Sequence, residues 1–492
     1  MIGRRTALLG AAAAGSLLAA GCTRPPTAPV PAQEEPPRID PKVHTVLAHD
    51  PSGHVALRPD AEQVLAASRA LLAVATAVVV AAPDDATAAQ VARDLGIPML
   101  PPGDGLAAEL DRLRTRTVFA YTEADVGTRE TLPGPATAAE VQQDGLPAKA
   151  EPADLLGLAY GTPSPTVASV AHAAGLGLTA VPAPHPGATK DATAAVRGHR
   201  GQVVGIGTGF GDDAQFGTQV EVTRTAKEFP AGGVAPLPDH VMIALYGHPG
   251  TASLGMMGEQ PPAQAVQRVR KLVDAYAKLL PDRHVMGAFE IIATIASSAP
   301  GDDGDYSLES EVAKLLPWVE EAERSDLYVV LDLQPGRTDF TRQARRYEEL
   351  LKRPHVGLAL DPEWRLPPNG KHLVQVGQVD VEEVNAVGAW LADFVQQHRL
   401  PPKVLTLHQF QTRMITNRAR LDTTRPEVQH LVHVDGQGGQ GAKQGTWAAI
   451  KKDLPARTWL GWKNFEDEDV PMLTPQQTVA QVKPLPNFIS YQ

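Results

Sequence analysis

Eight short apolar segments recur between residue 237 and residue 492, and amphipathic patterns separate most of them. The apolar segments have the length of buried strands, whereas the stretches between them repeat apolar residues at helical spacing. This alternation predicts a parallel sheet covered by helices. Eight strands within about 250 residues match the size of a (β/α)8 barrel. The segments are HVMIALYGHPG from His240, HVMGAFEIIATI from His284, DLYVVLDLQPG from Asp326, HVGLALDPEW from His355, KVLTLHQF from Lys403, HLVHVDGQGG from His430, TWLGWKNF from Thr458 and NFISYQ from Asn487.

The predicted fold class is therefore α/β, with a (β/α)8-like barrel over residues 236–492. The eighth segment lies so close to residue 492 that no helix follows it in this sequence. We therefore expect the barrel to close imperfectly.

Residues 44–235 show the same alternation on a smaller scale, and a Pro/Gly-rich stretch at 132–151 interrupts it. The pattern predicts an N-terminal α/β domain with a parallel sheet. Within it, residues 75–123 resemble the type-2 cell-wall-binding repeat, in which a strand, an Ala-rich helix, a short strand with proline and a second helix form a small unit. The resemblance implies that this domain binds cell wall.

The first 22 residues, MIGRRTALLGAAAAGSLLAAGC, combine an arginine pair, an apolar stretch and small residues, as export signals do. LAAGC resembles a bacterial lipobox, which implies a lipid on Cys22, and Arg4-Arg5 resembles a twin-arginine signal. We predict a lipoprotein signal peptide at 1–22, a Pro-rich tether at 23–43 and an extracellular protein anchored to the cell membrane. The alternative is ordinary secretory cleavage, with Cys22 incidental.

Charge and cysteine content exclude several classes of partner and site. The net charge is −11, from 45 Lys+Arg against 56 Asp+Glu, and no basic stripe is present. Nucleic acid is therefore not an expected partner. Cys22 is the only cysteine, so no disulfide or cysteine metal site is expected. We expect no cofactor.

Polar side chains stand at the C-terminal end of seven predicted strands. In a (β/α)8 barrel these ends converge on one rim, where the active sites of such folds lie. The set therefore predicts one shared pocket. Its members are His248, Glu290, Asp332 with Gln334, Asp361 with Glu363, His408 with Gln409, His433 with Asp435, and Lys463 with Asn464.

Paired carboxylates in one pocket indicate hydrolysis of a glycosidic bond. The Asp361-x-Glu363 pair resembles the strand-four acid motif of chitinase-like and lysozyme-like barrels, which implies that Glu363 is the general acid. Asp361 would set its pKa by proximity. We choose Asp332 as the second carboxylate and hold Glu290 and Asp435 in reserve.

Aromatic and polar residues near the rim are candidate contacts to a polysaccharide, because tryptophan faces suit sugar rings. The predicted substrate-binding residues are His248, Gln334, Trp364, His408, Gln409, Asp435, Trp462 and Lys463.

Two other functions compete with carbohydrate hydrolysis. A non-catalytic wall-polysaccharide binder would use the same rim without cleaving the glycan. A metal-dependent hydrolase would use His248, His408, His433, Asp332 and Asp435 around a divalent ion. No short ligand motif such as H-E-x-x-H occurs, so we assign no metal ligand.

The C-terminal half also resembles a group of secreted actinobacterial lipoproteins, through ALYGHPG, FEIIAT, YVVLDLQPGR, LALDPEWR, LHQF and GWKNFEDED. The resemblance implies an extracellular location and implies no reaction.

Overall fold

The structure, a computed structural model, describes residues 44–48, 51, 53–141, 147–148 and 154–492. The predicted signal peptide, with Cys22, and the predicted tether at 23–43 lie outside these residues. No helix in the described part of the chain is both long and apolar enough to cross a membrane.

The N-terminal domain contains two parallel four-stranded sheets and one smaller mixed sheet. Its strands are β1 (His44–Ala48), β2 (Val55–Leu57), β3 (Leu72–Ala75), β4 (Ala77–Val80), β5 (Met99–Leu100), β6 (Thr117–Ala120), β7 (Glu130–Pro133), β8 (Pro147–Ala148), β9 (Leu155–Tyr160), β10 (Leu178–Val181) and β11 (Gln202–Ile206). Its helices are α1 (Val64–Leu71), α2 (Ala86–Leu95), α3 (Leu106–Arg112), α4 (Pro165–Ala173), α5 (Lys190–Gly198) and α6 (Asp213–Thr225).

The two parallel sheets have the orders β5-β4-β6-β7 and β10-β9-β11-β2. Strand β2 precedes the whole first sheet in sequence but pairs with β11 of the second. The chain therefore contributes one strand to the second sheet before it forms the first sheet. Helix α2 ends at Gly96, which adopts the left-handed conformation that glycine tolerates without a Cβ penalty.

The C-terminal half is a closed barrel of eight parallel strands. These are β12 (His240–Gly247), β13 (His284–Ala296), β15 (Tyr328–Leu333), β16 (Val356–Leu360), β18 (Lys403–His408), β20 (Val428–Val434), β21 (Thr458–Asn464) and β22 (Phe488–Tyr491). Three further strands lie outside the ring: β14 (Ser307–Glu309), β17 (Val379–Asp380) and β19 (Ile415–Thr416). The helices are α7 (Pro262–Leu279), α8 (Val312–Arg324), α9 (Phe340–Arg346), α10 (Glu348–Leu351), α11 (Val381–His398), α12 (Gln440–Ile450) and α13 (Pro475–Gln481).

The expectation of imperfect closure is wrong. Strand β22 pairs with β21 on one side and with β12 on the other, from Met242↔Phe488 to Leu245↔Tyr491. Closure requires only that the eighth strand bridge the first and seventh, and a helix after it is not needed.

Side chains on the barrel strands alternate between two environments, because successive residues of a strand point to opposite faces. Those pointing outward, such as Leu331 and Leu407, pack against the helices in the main core. Those pointing inward near the N-terminal strand ends, such as Met242, Tyr328 and Phe488, form a separate core inside the barrel. The C-terminal ends of the same inward rows carry the polar residues described below.

The N-terminal domain contacts the N-terminal end of the barrel. The Phe229 ring, which follows α6, lies 5.8 Å from the Tyr328 ring at the start of β15. Trp459, near the start of β21, packs against the interior barrel core and also against the core of the second parallel sheet. This contact lies at the barrel end opposite the polar rim.

The buried Phe488 side chain gives a test of closure through β22. Replacing Phe488 with alanine removes a large interior group, and we expect it to lower the free energy of unfolding by about 3–5 kcal/mol. The Val374→Ala change, at a side chain that is 77% exposed, should cost less than about 0.5 kcal/mol. Urea unfolding of both variants measures the difference, and equal costs would contradict the inward placement of Phe488.

Candidate active site

A cavity of about 580 Å³ opens at the C-terminal ends of the barrel strands. Its wall combines carboxylates, a lysine, amide side chains and aromatic rings, which is the composition of a site for a polar ligand. The wall residues that bear on function are Tyr246, Gln334, Asp361, Glu363, Trp364, Phe410, Asp435, Gln437, Thr446, Lys463, Phe465 and Gln492.

A buried network from four strands joins this cavity wall. His408, at the end of β18, donates from Nδ1 to Asp435 Oδ2 at 2.9 Å, and its Nε2 lies 2.9 Å from Glu290 Oε1. His433 Nδ1 lies 3.4 Å from the same Glu290 oxygen. Asp332 Oδ1 is 3.8 Å from His408 Nε2. The rings of His408 and His433 and the carboxylates of Glu290 and Asp332 are fully buried.

Tyrosine, glutamine and lysine side chains surround Asp332. Tyr246 donates its hydroxyl to Asp332 Oδ2 at 2.9 Å, and Gln334 Nε2 donates to the Tyr246 oxygen at 3.5 Å. Lys463 Nζ lies 3.4 Å from the centre of the Tyr246 ring, a cation–π distance. Tyr246 thus connects the buried network to Lys463 on the cavity wall.

Charge is distributed unevenly within the network. Burial opposes ionisation of Glu290, but His433 and His408 outweigh it and hold the pKa of Glu290 well below its usual value. Burial likewise opposes charge on His408, yet Glu290 and Asp332 raise its pKa well above the usual value. Burial dominates at His433 and lowers the pKa of that ring. With no ion bound, His408 therefore favours the charged form and His433 the neutral form.

The three acids on or near the wall are also held in different states. Burial raises the pKa of Glu363 to about 7, and the neighbouring Asp435 carboxylate adds to the shift. Burial and repulsion from Glu363 raise the pKa of Asp361 well above its usual value. Burial also opposes ionisation of Asp435, but the hydrogen bond from His408 lowers its pKa. Glu363 and Asp435 therefore favour opposite protonation states.

Asp361 and Glu363 reach the cavity together, but not as neighbours on one face of a strand. Strand β16 ends at Leu360, and Pro362–Trp364 forms a short 3-10 turn. Glu363 is only partly buried, whereas Asp361 is almost fully buried. Both carboxylates nevertheless lie on the cavity wall.

Most of the predicted site residues converge at this end of the barrel. Glu290, Asp332, His408 and Asp435 form the buried network. Asp435 also lies on the cavity wall, together with the remaining members of the convergent set: Asp361, Glu363, Gln334, Trp364 and Lys463. The prediction that polar strand ends share one mouth agrees with this placement.

Three predicted substrate contacts lie elsewhere. His248 follows β12 and contacts Thr251, Ser310 and Lys314, away from the cavity. Gln409 is buried, and its Nε2 donates hydrogen bonds to the Gln411 and Thr412 carbonyls. Its Oε1 accepts a hydrogen bond from Arg418. Trp462 points outward into the helix layer, with its ring 5.7 Å from that of Trp447. Gln409 and Trp462 are adjacent in sequence to the inward residues His408 and Lys463 and lie off the inward row. His248 lies beyond the end of β12.

Tyr246 and Ser490 also belong to the network, and neither was predicted from the sequence. Ser490, on β22, contacts His433 Nε2 through its hydroxyl at 3.0 Å. Both residues stand two positions after an interior-core residue of the same strand, Ala244 and Phe488, and so belong to the inward rows. The alternation of side chains along β12 and β22 therefore identifies both residues, once Ala244 and Phe488 are known to point into the barrel.

The raised pKa of Glu363 predicts a pH-dependent stability. The pKa of Glu363 is about 7 in the folded protein, and its ordinary value of 4.5 applies to the unfolded chain. The folded protein therefore binds this proton more tightly than the unfolded chain does. Ionising Glu363 therefore costs stability, and the loss develops from pH 4.5 to 7 and reaches up to about 3 kcal/mol. The free energy of unfolding, measured with urea at pH 4 and at pH 8, should fall more between these two pH values in the wild type than in Glu363→Gln. Identical pH slopes would contradict the burial of this acid.

No protein-family model matches the chain, and no curated protein matches its sequence. The resemblances to cell-wall-binding repeats, to actinobacterial lipoproteins and to chitinase-like barrels therefore stay predictions.

Proposed function

We propose that the barrel binds a cell-envelope or environmental carbohydrate and hydrolyses a glycosidic bond. The observation that supports this most directly is that Glu363 and Asp435 line one cavity, where burial raises the pKa of Glu363 and the hydrogen bond from His408 lowers the pKa of Asp435. Glycosidases use such a pair, because one carboxyl protonates the leaving oxygen while the other stays ionised near the anomeric carbon.

Glu363 is the proposed general acid. Its carboxyl is partly exposed to the cavity, so a glycosidic oxygen can reach it, and a pKa of about 7 keeps much of it protonated at neutral pH. Asp361 lies beside it and is itself kept neutral by burial, so it adds little negative charge there.

Asp435 replaces Asp332 as the proposed second carboxylate. Asp332 is fully buried, accepts from Tyr246 and does not line the cavity, so a sugar cannot contact it directly. Asp435 lines the cavity, and its Oδ2 is fixed by His408. Its other oxygen, Oδ1, has no hydrogen-bond partner in the protein. That oxygen is buried at the cavity wall, and we assign to it the attack on the sugar or the activation of a water molecule.

The rest of the cavity wall suits a sugar. Trp364, Phe410 and Phe465 supply aromatic surfaces, and Gln334, Gln437 and Lys463 supply groups that can bond hydroxyls. The side chains of Trp462, His248 and Gln409 take no part in this proposal because they lie away from the cavity.

Replacement of Glu363 tests the catalytic proposal. Glu363→Gln keeps the shape of the side chain but cannot donate the proton, so we expect kcat to fall by about 10²–10⁴-fold. Binding of the same glycan should stay within a few-fold. Purified wild type and variant are screened against cell-wall and environmental glycans, with release of reducing ends and binding measured in parallel.

Glu349→Gln is the matched control, since Glu349 is an exposed acid on α10. It should keep the wild-type rate and affinity. Binding by all three proteins without cleavage by any of them would exclude hydrolysis and favour a polysaccharide-binding protein.

We also propose that the protein is a surface lipoprotein anchored through Cys22, as the sequence LAAGC suggests. Replacing Cys22 with serine removes the only thiol and should shift the protein from the membrane fraction to the medium. Mass spectrometry of the wild-type N-terminus should find a lipid-modified cysteine. Unchanged fractionation of the Cys22→Ser variant would contradict the anchor.

A further inference from the structure

A compact group of nitrogen and oxygen donors lies in the buried network that joins the cavity wall. Glu290 on β13, His408 on β18 and His433 on β20 each direct one atom into a space where all three atoms lie within 4.8 Å of one another. All three side chains are fully buried. Two imidazoles and a carboxylate form the donor set that proteins use for divalent transition metals.

The separations between these atoms fit coordination of a common ion. Ligands about 2.1 Å from one ion lie about 3.0–3.4 Å apart at neighbouring corners of an octahedron or tetrahedron. Glu290 Oε1 is 2.9 Å from His408 Nε2 and 3.4 Å from His433 Nδ1. The donor atoms of all three residues lie within 4.8 Å of one another, so they already surround one space.

The far side of each histidine ring is fixed by a second residue. His408 Nδ1 is bonded to Asp435, and His433 Nε2 is bonded to the Ser490 hydroxyl. Histidine ligands of metals are oriented in this way, because a partner on one ring nitrogen presents the other nitrogen to the ion. The remaining nitrogens, His408 Nε2 and His433 Nδ1, both face Glu290.

Several of the inward atoms have no hydrogen-bond partner. Glu290 Oε2, His433 Nδ1 and Asp332 Oδ1 are buried without one. An unpaired buried polar atom is costly, so an atom of this kind indicates a ligand of the site. Asp332 Oδ1 lies 3.8 Å from His408 Nε2 and is next to the donor group without joining it.

We propose that Glu290, His408 and His433 bind one divalent transition-metal ion, with Zn²⁺ the best match to the donors. Asp332 Oδ1 would accept a hydrogen bond from a water molecule on that ion. The ion would lie below the cavity wall and hold strands β13, β18 and β20 together. This proposal does not depend on carbohydrate hydrolysis.

Metal content of the full-length protein tests the proposal directly. The protein is purified without a polyhistidine tag, treated with EDTA, reloaded with Zn²⁺ or Co²⁺ and desalted. Elemental analysis should find about one ion per chain, and Co²⁺ should give visible d–d absorption bands that report its ligands. Chelation should lower the thermal unfolding midpoint by at least about 5 °C, and Zn²⁺ should restore it.

Two ligand variants and one control locate the ion. Glu290→Gln keeps the size of the side chain, and His433→Asn removes one donor nitrogen, so each should lose most of the bound metal. His172→Gln removes an exposed histidine on α4 and should bind as the wild type does. The comparison of metal-free and reloaded wild type is independent of how well the variants fold.

Less than about a tenth of an ion per chain after reloading, with no change in the unfolding midpoint, would overturn the proposal. The network would then be an ion-pair cluster in which a protonated His408 bridges Glu290 and Asp435. Full metal binding by Glu290→Gln and His433→Asn would also overturn it, because the ion would then lie elsewhere. None of these measurements uses a glycan, so they stay separate from the test of hydrolysis.

Discussion

The mouth of the barrel depends on His408, whose ring lies between two carboxylates from other strands. Its nitrogens are 2.9 Å from Glu290 and 2.9 Å from Asp435, and all three groups are buried. An isolated buried charge costs several kcal/mol, so no member of this set could stay ionised without the others. Because Asp435 also lines the cavity, the same contact fixes an ionised oxygen where a ligand can meet it.

Much of this arrangement can be predicted from the sequence, because all strands of a parallel barrel run in one direction and their C-terminal ends lie at the same face. The eight apolar segments correspond to the eight barrel strands, and most of the polar residues predicted at their C-terminal ends lie at one mouth. Glu363 was identifiable for a further reason. Glutamate is not a typical turn residue, so its place directly after a buried strand predicts that its side chain faces the pocket, and Glu363 does line the cavity.

The rest of the site depends on side-chain direction and depth, which sequence order alone does not give. Trp462 and Lys463 are adjacent on β21, yet the first faces the helices and the second faces the cavity. The choice between Asp332 and Asp435 as the proposed second carboxylate depends on burial, which strand order does not give either. Asp332 is fully buried and its carboxylate accepts from the Tyr246 hydroxyl, whereas Asp435 lines the cavity.

The position of an acidic side chain along its strand therefore determines its environment, either buried in the network or facing the cavity. Glu290 and Asp332 lie within their strands, where water is excluded and side chains are held by each other. Glu363 lies beyond its strand on a short turn, where partial burial raises its pKa to about 7 while its carboxyl still meets the cavity. A proton donor needs this intermediate position, since full burial would block the substrate and full exposure would return the pKa to its ordinary value. The turn at Pro362–Trp364 is therefore as important to the proposed reaction as the barrel beneath it.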